Sequence, residues 1–228
     1  MKKLYIIFGA PRSGTTYCAD VISQKVNDCM IYDELNPSRL INFNHQYYTH
    51  LEKRASLKRP STKNENKDRF HKIEQQFASS ELSYEKLLFS YLLRGKLTII
   101  KYPRLLEDQS IYLFFEKLLH MPVEVYFIKV ERDKKEILES MQSRNMYLSR
   151  WPFFKQLVVR MINFYDKLEV QNVITIHSVQ NLDLETLSIA KDKDLEKLRR
   201  TFRKFPYWIS YIQYLLVILR NSFGRRYW

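Results

Sequence analysis

The densest run of chemistry-bearing side chains lies near the start of the chain, in Pro11-Arg12-Ser13-Gly14-Thr15-Thr16-Tyr17. Three aliphatic hydroxyls and a guanidinium share this stretch with Gly14, and Gly9 stands just before it in a chain that has only four glycines. A glycine-bearing turn between a strand and a helix leaves backbone N–H groups unpaired and converging on one spot, with the helix dipole behind them. Such a spot is a cradle for a phosphate-like anion. The elements that must position it flank it directly. Leu4-Tyr5-Ile6-Ile7-Phe8 is an apolar run expected as a buried strand, and Cys18-Ala19-Asp20-Val21-Ile22 reads as the first turns of a helix.

A second pair of polar residues sits at an equivalent junction. Val123 to Val130 is β-rich, Asp133 is a good N-cap with Glu136 three residues on as a capping box, and Ile137, Leu138 and Met141 give a helical apolar stripe. Arg132 therefore ends a strand, and Ser140 lies about two turns into the next helix. In a doubly wound sheet the carboxyl ends of the strands are where ligands bind. The spacing Gly9-x4-Gly14 also fits the phosphate-loop frame of nucleoside triphosphatases. Here the frame continues Thr15-Thr16 where they carry Lys followed by Ser or Thr, and Arg12 is the cation inside the loop. The expectation is a cradle for an anionic nucleotide that does not perform ordinary Mg-ATP chemistry.

Ala10 to Tyr17 resembles the 5′-phosphosulfate loop of sulfotransferases that use 3′-phosphoadenosine-5′-phosphosulfate (PAPS). In that family an Arg and a Ser eight positions apart, after a strand, hold the 3′-phosphate, and Arg132 and Ser140 match this spacing. The resemblance implies that Pro11, Arg12, Ser13, Gly14, Thr15, Thr16, Tyr17, Arg132 and Ser140 bind the co-substrate. Sulfuryl transfer resembles phosphoryl transfer, a loose in-line displacement that needs fixed positive charge at the leaving phosphate and a base for the acceptor proton. Many cytosolic relatives use a His after a Lys-x-His run, but here Leu97-Thr98-Ile99-Ile100 leads into Lys101-Tyr102-Pro103-Arg104 with no His. Asp33-Glu34-Leu35-Asn36-Pro37 instead resembles a segment of bacterial and carbohydrate sulfotransferases. The Lys-x-Pro run and a Glu near this offset also resemble tyrosylprotein sulfotransferases. By that resemblance Glu34 is the base, with Asp33 its rival, and Lys101 and Arg12 are the cations at the transferring group. No metal is required by this scheme, and no His/Cys/Asp/Glu cluster has metal-ligand spacing.

Composition is consistent with a single domain over residues 1–228, because no Pro/Gly/Ser linker divides the chain, and the resemblance implies that it is a sulfotransferase domain. Two cysteines, Cys18 and Cys29, are too few for a disulfide framework and point to a reducing compartment. Met1-Lys2-Lys3 leads straight into the first strand, so a cytoplasmic protein is expected. The formal charge is +13. No nucleic-acid-binding motif accompanies it, so the partners expected are the anionic nucleotide and a hydroxyl acceptor, polyanionic or lipid-linked. Residues of about 42–80 read as an acceptor-side insertion or lid, and those of about 192–228 as a basic, aromatic helical end. Within the latter, Tyr207 to Leu219 is too short to span a bilayer. It is either a buried last helix or a peripheral membrane contact, since no acidic residue follows Glu196.

The rest of the pattern alternates. Helices are expected over Leu82 to Leu93, Gln109 to Leu119, Pro152 to about Leu168, Asp194 to Phe202 and Trp208 to Leu219, with a strand over Val173 to His177. Strands alternating with helices imply an α/β fold with a doubly wound parallel sheet. The resemblance adds a three-layer αβα arrangement of the nucleotide-kinase type. Two other classes fit the same residues: a nucleotide or sugar kinase with a degenerate phosphate loop, and a non-catalytic nucleotide-binding protein of the membrane surface.

Overall fold

The computed structural model describes residues 1–26, 29–33, 97–103, 115–116, 118–144, 146, 149–150 and 152–204. These form a mixed α/β fold around a five-stranded, all-parallel sheet. In chain order the elements are β1 (Lys2–Phe8), α1 (Thr15–Gln24), β2 (Cys29–Asp33), β3 (Leu97–Lys101), β4 (Val123–Glu131), α2 (Lys134–Ser143), α3 (Pro152–Asp166), β5 (Asn172–Thr175) and α4 (Asp192–Lys204). Two short 3-10 segments, Ile176–Asn181 and Leu184–Thr186, lie between β5 and α4.

The strand order is β2-β3-β1-β4-β5. β1 occupies the centre because Leu4 to Phe8 is apolar on both faces and every one of these side chains is buried, the pattern of a strand covered on both sides. On one face Tyr5 and Ile7 pack with Cys18, Ala19 and Ile22 of α1, and with Ile99, Tyr126 and Ile128 of the neighbouring strands. On the other face Phe127 meets Phe115 at 5.0 Å between ring centroids, and Lys129 Nζ donates to the Asp166 carbonyl at the end of α3 (2.8 Å). Helical residues therefore cover both faces.

From β1 the chain runs to the β2 edge, returns as β3 beside β1, and crosses to β4 on the opposite side. The reversal falls at the carboxyl end of β1, the position where open parallel sheets leave a crevice between diverging connections. The register aligns Ile7 with Lys101 and with Ile128, and Asp33 with Lys101. One sheet edge thus collects the Gly9–Gly14 turn, Asp33, Lys101 and Arg132.

β2 was not anticipated, although Cys29-Met30-Ile31-Tyr32 is an apolar run of strand length. The strand expected to reach His177 ends at Thr175, where the backbone turns into the first 3-10 segment. The expected helix over Gln109 to Leu119 is described at residues 115, 116, 118 and 119. The segments 34–96 and 205–228, with the expected lid and the last apolar helix, lie outside the described residues. Among the described residues no helix is long and apolar enough to cross a membrane.

Candidate functional site

The turn after β1 is held by close approaches that only glycine permits. A Cβ on Gly9 would stand 2.5 Å from both Ser13 Oγ and the Val130 carbonyl oxygen. Gly14, the N-cap of α1, has φ +100°, and a Cβ there would overlap the side chain of Ile176. Within the turn Ser13 N–H donates to the Ala10 carbonyl (2.9 Å). α1 opens with no side-chain cap, so the N–H groups of its first turn keep no intrahelical partner. The dipole end of the helix and those donors face the same edge as the cations described next.

Ser13 is one of the residues expected at the cradle. Its side chain is fully buried and turned back against Gly9. Pro11 and Thr15 are also buried, and Thr16 and Tyr17 are exposed on α1.

Arg12 adopts φ 74°, a left-handed conformation that costs a non-glycine residue about 1–2 kcal/mol. Two contacts from distant segments hold it there. Arg12 Nε donates to Ser140 Oγ (3.0 Å) on α2, and Arg132 Nη1 donates to the Arg12 carbonyl (3.4 Å). Residues singled out from two separate motifs, 128 positions apart for Arg12 and Ser140, thus meet directly.

The structure adds a third guanidinium that sequence reasoning missed. Burial first, then the positive charges of Arg144 and Arg132, push the Arg12 guanidinium below its ordinary value. Glu136 and Ser140 share one face of α2, and Arg144, four residues further on, is the C-cap of that helix. That spacing from Ser140 was the signal available for Arg144. Asp133 caps the helix as expected, accepting from Lys135 N–H (2.9 Å) and Glu136 N–H (3.2 Å). The Glu136 carboxylate forms an ion pair with Arg132 Nε at 2.7 Å, whereas the capping-box expectation has it reaching back to the Asp133 N–H.

Lys101 ends β3 and is 5 % exposed. Its Nζ donates to Thr16 Oγ1 (2.8 Å), and Tyr102 N–H extends the ladder to the Ile7 carbonyl (2.8 Å). The loop lacks the Lys that precedes the Ser or Thr in nucleoside triphosphatases, and a neighbouring strand delivers an ammonium onto the same helix terminus. Asp33 is the ladder partner of Lys101. Glu34, expected as the base, lies outside the described residues. On the far side of the turn Ile176 packs over Gly14, and His177 beside it is exposed.

In sum of charge, Arg12, Arg132 and Lys101 gather at one edge with uncapped helix N–H groups, and the positive charge of Arg144 acts on Arg12. Coulomb repulsion of this kind is relieved by a multiply charged anion. No group of three or more His, Cys, Asp or Glu among the described residues has the arrangement of a metal site. Compared with known proteins, the chain matches no family model and no curated sequence.

Proposed function

We propose that this chain is a PAPS-dependent sulfotransferase that moves a sulfuryl group to an acceptor hydroxyl of a glycan, glycolipid or small molecule, without a metal. The observation that carries this reading is the convergence of Arg12, Ser140 and Arg132 on the turn between β1 and α1. It links a 5′-phosphate cradle to the Arg and Ser that the family resemblance assigns to the 3′-phosphate. The strand order around a central β1 supports the further assignment to the three-layer, doubly wound, nucleotide-kinase-like type.

PAPS supplies an activated sulfuryl group on a phosphate leaving group. The residues of the chain fit it: uncapped N–H donors at α1 receive the phosphosulfate end, and Arg12 with Lys101 balances negative charge gathering on the leaving phosphate. Arg132 and Ser140 take the 3′-phosphate, which for Ser140 means exchanging its bond with Arg12. Thr16 steadies the Lys101 ammonium at the helix terminus. We assign the acceptor proton to the carboxylate of Glu34, with Asp33 as the alternative because it is the ladder neighbour of Lys101.

The test is thermal unfolding with 3′,5′-adenosine bisphosphate in the presence of a chelator. At 100 times Kd the ligand contributes about 2.7 kcal/mol, a rise of roughly 5–10 °C for a domain of this size. The expected result is such a rise in the wild type and its loss in both Arg12→Ala and Arg132→Ala. Equal rises in both variants, or a response only to Mg-ATP, would overturn the assignment in favour of a different nucleotide chemistry.

A further inference from the structure

Arg132 is occupied at both ends of its guanidinium. Nε is held by Glu136 Oε2 at 2.7 Å, and Nη1 reaches the Arg12 carbonyl. Among the described residues, Glu136 is the carboxylate in contact with the three-arginine group. It stands on the same face of α2 as Ser140, one turn before it. Both members of the pair are partly exposed, at 32 % for Arg132 and 42 % for Glu136. An ion pair in that setting is weak enough for a ligand to displace. Ser140 shows the same situation on the neighbouring turn, since its hydroxyl is engaged by Arg12.

We propose that Glu136 is an internal counter-ion of the anion site, holding Arg132 in the ligand-free protein and opposing the ligand's terminal phosphate through like-charge repulsion. The proposal rests on the nucleotide reading above and adds a residue that sets affinity without binding the ligand. Arg132 lies against Arg12, their positive charges and that of Arg144 repel, and one carboxylate reduces that repulsion. A phosphate arriving at Arg132 competes with this carboxylate for the Nε donor and also meets its charge. Glu136 therefore limits how tightly a 3′-phosphorylated nucleotide is held, product included, and favours its departure after transfer.

Charge repulsion and structural support predict opposite signs. If Glu136 only shaped Arg132, its loss would weaken binding. As a counter-ion, its loss strengthens binding and steepens the dependence on salt. The experiment is calorimetric titration of 3′,5′-adenosine bisphosphate into wild type, Glu136→Gln and Glu139→Gln at two salt concentrations. Glu139 is exposed on the same helix, so its replacement makes the same change in net charge away from Arg132. The expected result is a dissociation constant about three- to ten-fold lower in Glu136→Gln, shrinking at high salt, with less than a two-fold change in Glu139→Gln. Unchanged or weaker binding in Glu136→Gln overturns the proposal, as does equal tightening in both variants. Should Glu136→Gln unfold, Glu136→Asp takes its place. Its carboxylate is retracted by one methylene, and tightening that is smaller but still salt-sensitive is required there. Absence of binding in the wild type would instead refute the nucleotide reading, so the two failures are distinguishable.

Discussion

Gly14 joins β1 and α1 at one turn, and replacing it with alanine tests how that turn is built. The position has φ +100°, which an L-residue adopts at a cost of about 1–2 kcal/mol. The new Cβ would also overlap Ile176 Cδ1 and stand 3.0 Å from its Cγ1. The overlapped atoms belong to the outer end of a flexible side chain, so Ile176 can turn away, at an overpacking cost of about 1–3 kcal/mol. Together these give a loss of about 2–5 kcal/mol, a sizeable part of ordinary domain stability. Urea unfolding of wild type, Gly14→Ala, Ile176→Ala and the double variant separates the two contributions. Removing Ile176 leaves the backbone cost and relieves the overlap, so the double variant should recover at least about 1 kcal/mol relative to additivity. A Gly14→Ala protein within about 0.5 kcal/mol of wild type would refute the conformational argument. Strict additivity would refute the contact with Ile176.

Two further outcomes follow from the core. Burial pushes the Cys18 thiol up to about 12, so it stays protonated at any pH below that value, whereas Cys29 is partly accessible. A thiol reagent at pH 8 should titrate one group rapidly in the native chain and two in urea, and two rapid groups in the native chain would contradict the packing of α1. Asn172, 7 % exposed, donates to the Phe127 carbonyl (3.1 Å) and the Ser188 carbonyl (2.9 Å), and accepts from Ser188 N–H (2.8 Å). Asn172→Ala strands these groups and should cost about 2–4 kcal/mol in urea unfolding; a loss below about 1 kcal/mol would mean that water replaces them freely.

The parts legible in the sequence are those whose cause is local. Leu4 to Phe8 reads as a buried strand because its apolar run is unbroken, and Asp133 reads as a cap because its side chain accepts from the N–H groups of Lys135 and Glu136. Pro152 starts α3 as its fixed φ and missing N–H favour. What was not legible depends on partners far along the chain. The strand after Val173 stops at Thr175, and the next residue lies over Gly14, a neighbour no local pattern announces. Glu136 has the spacing of a capping box, but a guanidinium four residues back offers its carboxylate a charged partner. Arg144 enters through charge alone, acting on Arg12 from the next turn beyond Ser140.

The segment after β5 touches α1 at both of its ends. Ile176 covers Gly14 at the start of the helix, and Lys25 Nζ, at its close, donates to the carbonyls of Gln180 (3.1 Å) and Leu182. The helix has ten residues, so these fastenings are separated by about 15 Å. A rod pinned at both ends to the same strip of chain cannot tilt about either end without dragging that strip along. The turn between β1 and α1 is thus braced from behind, and its rigidity depends partly on an ammonium a full helix length from Gly14.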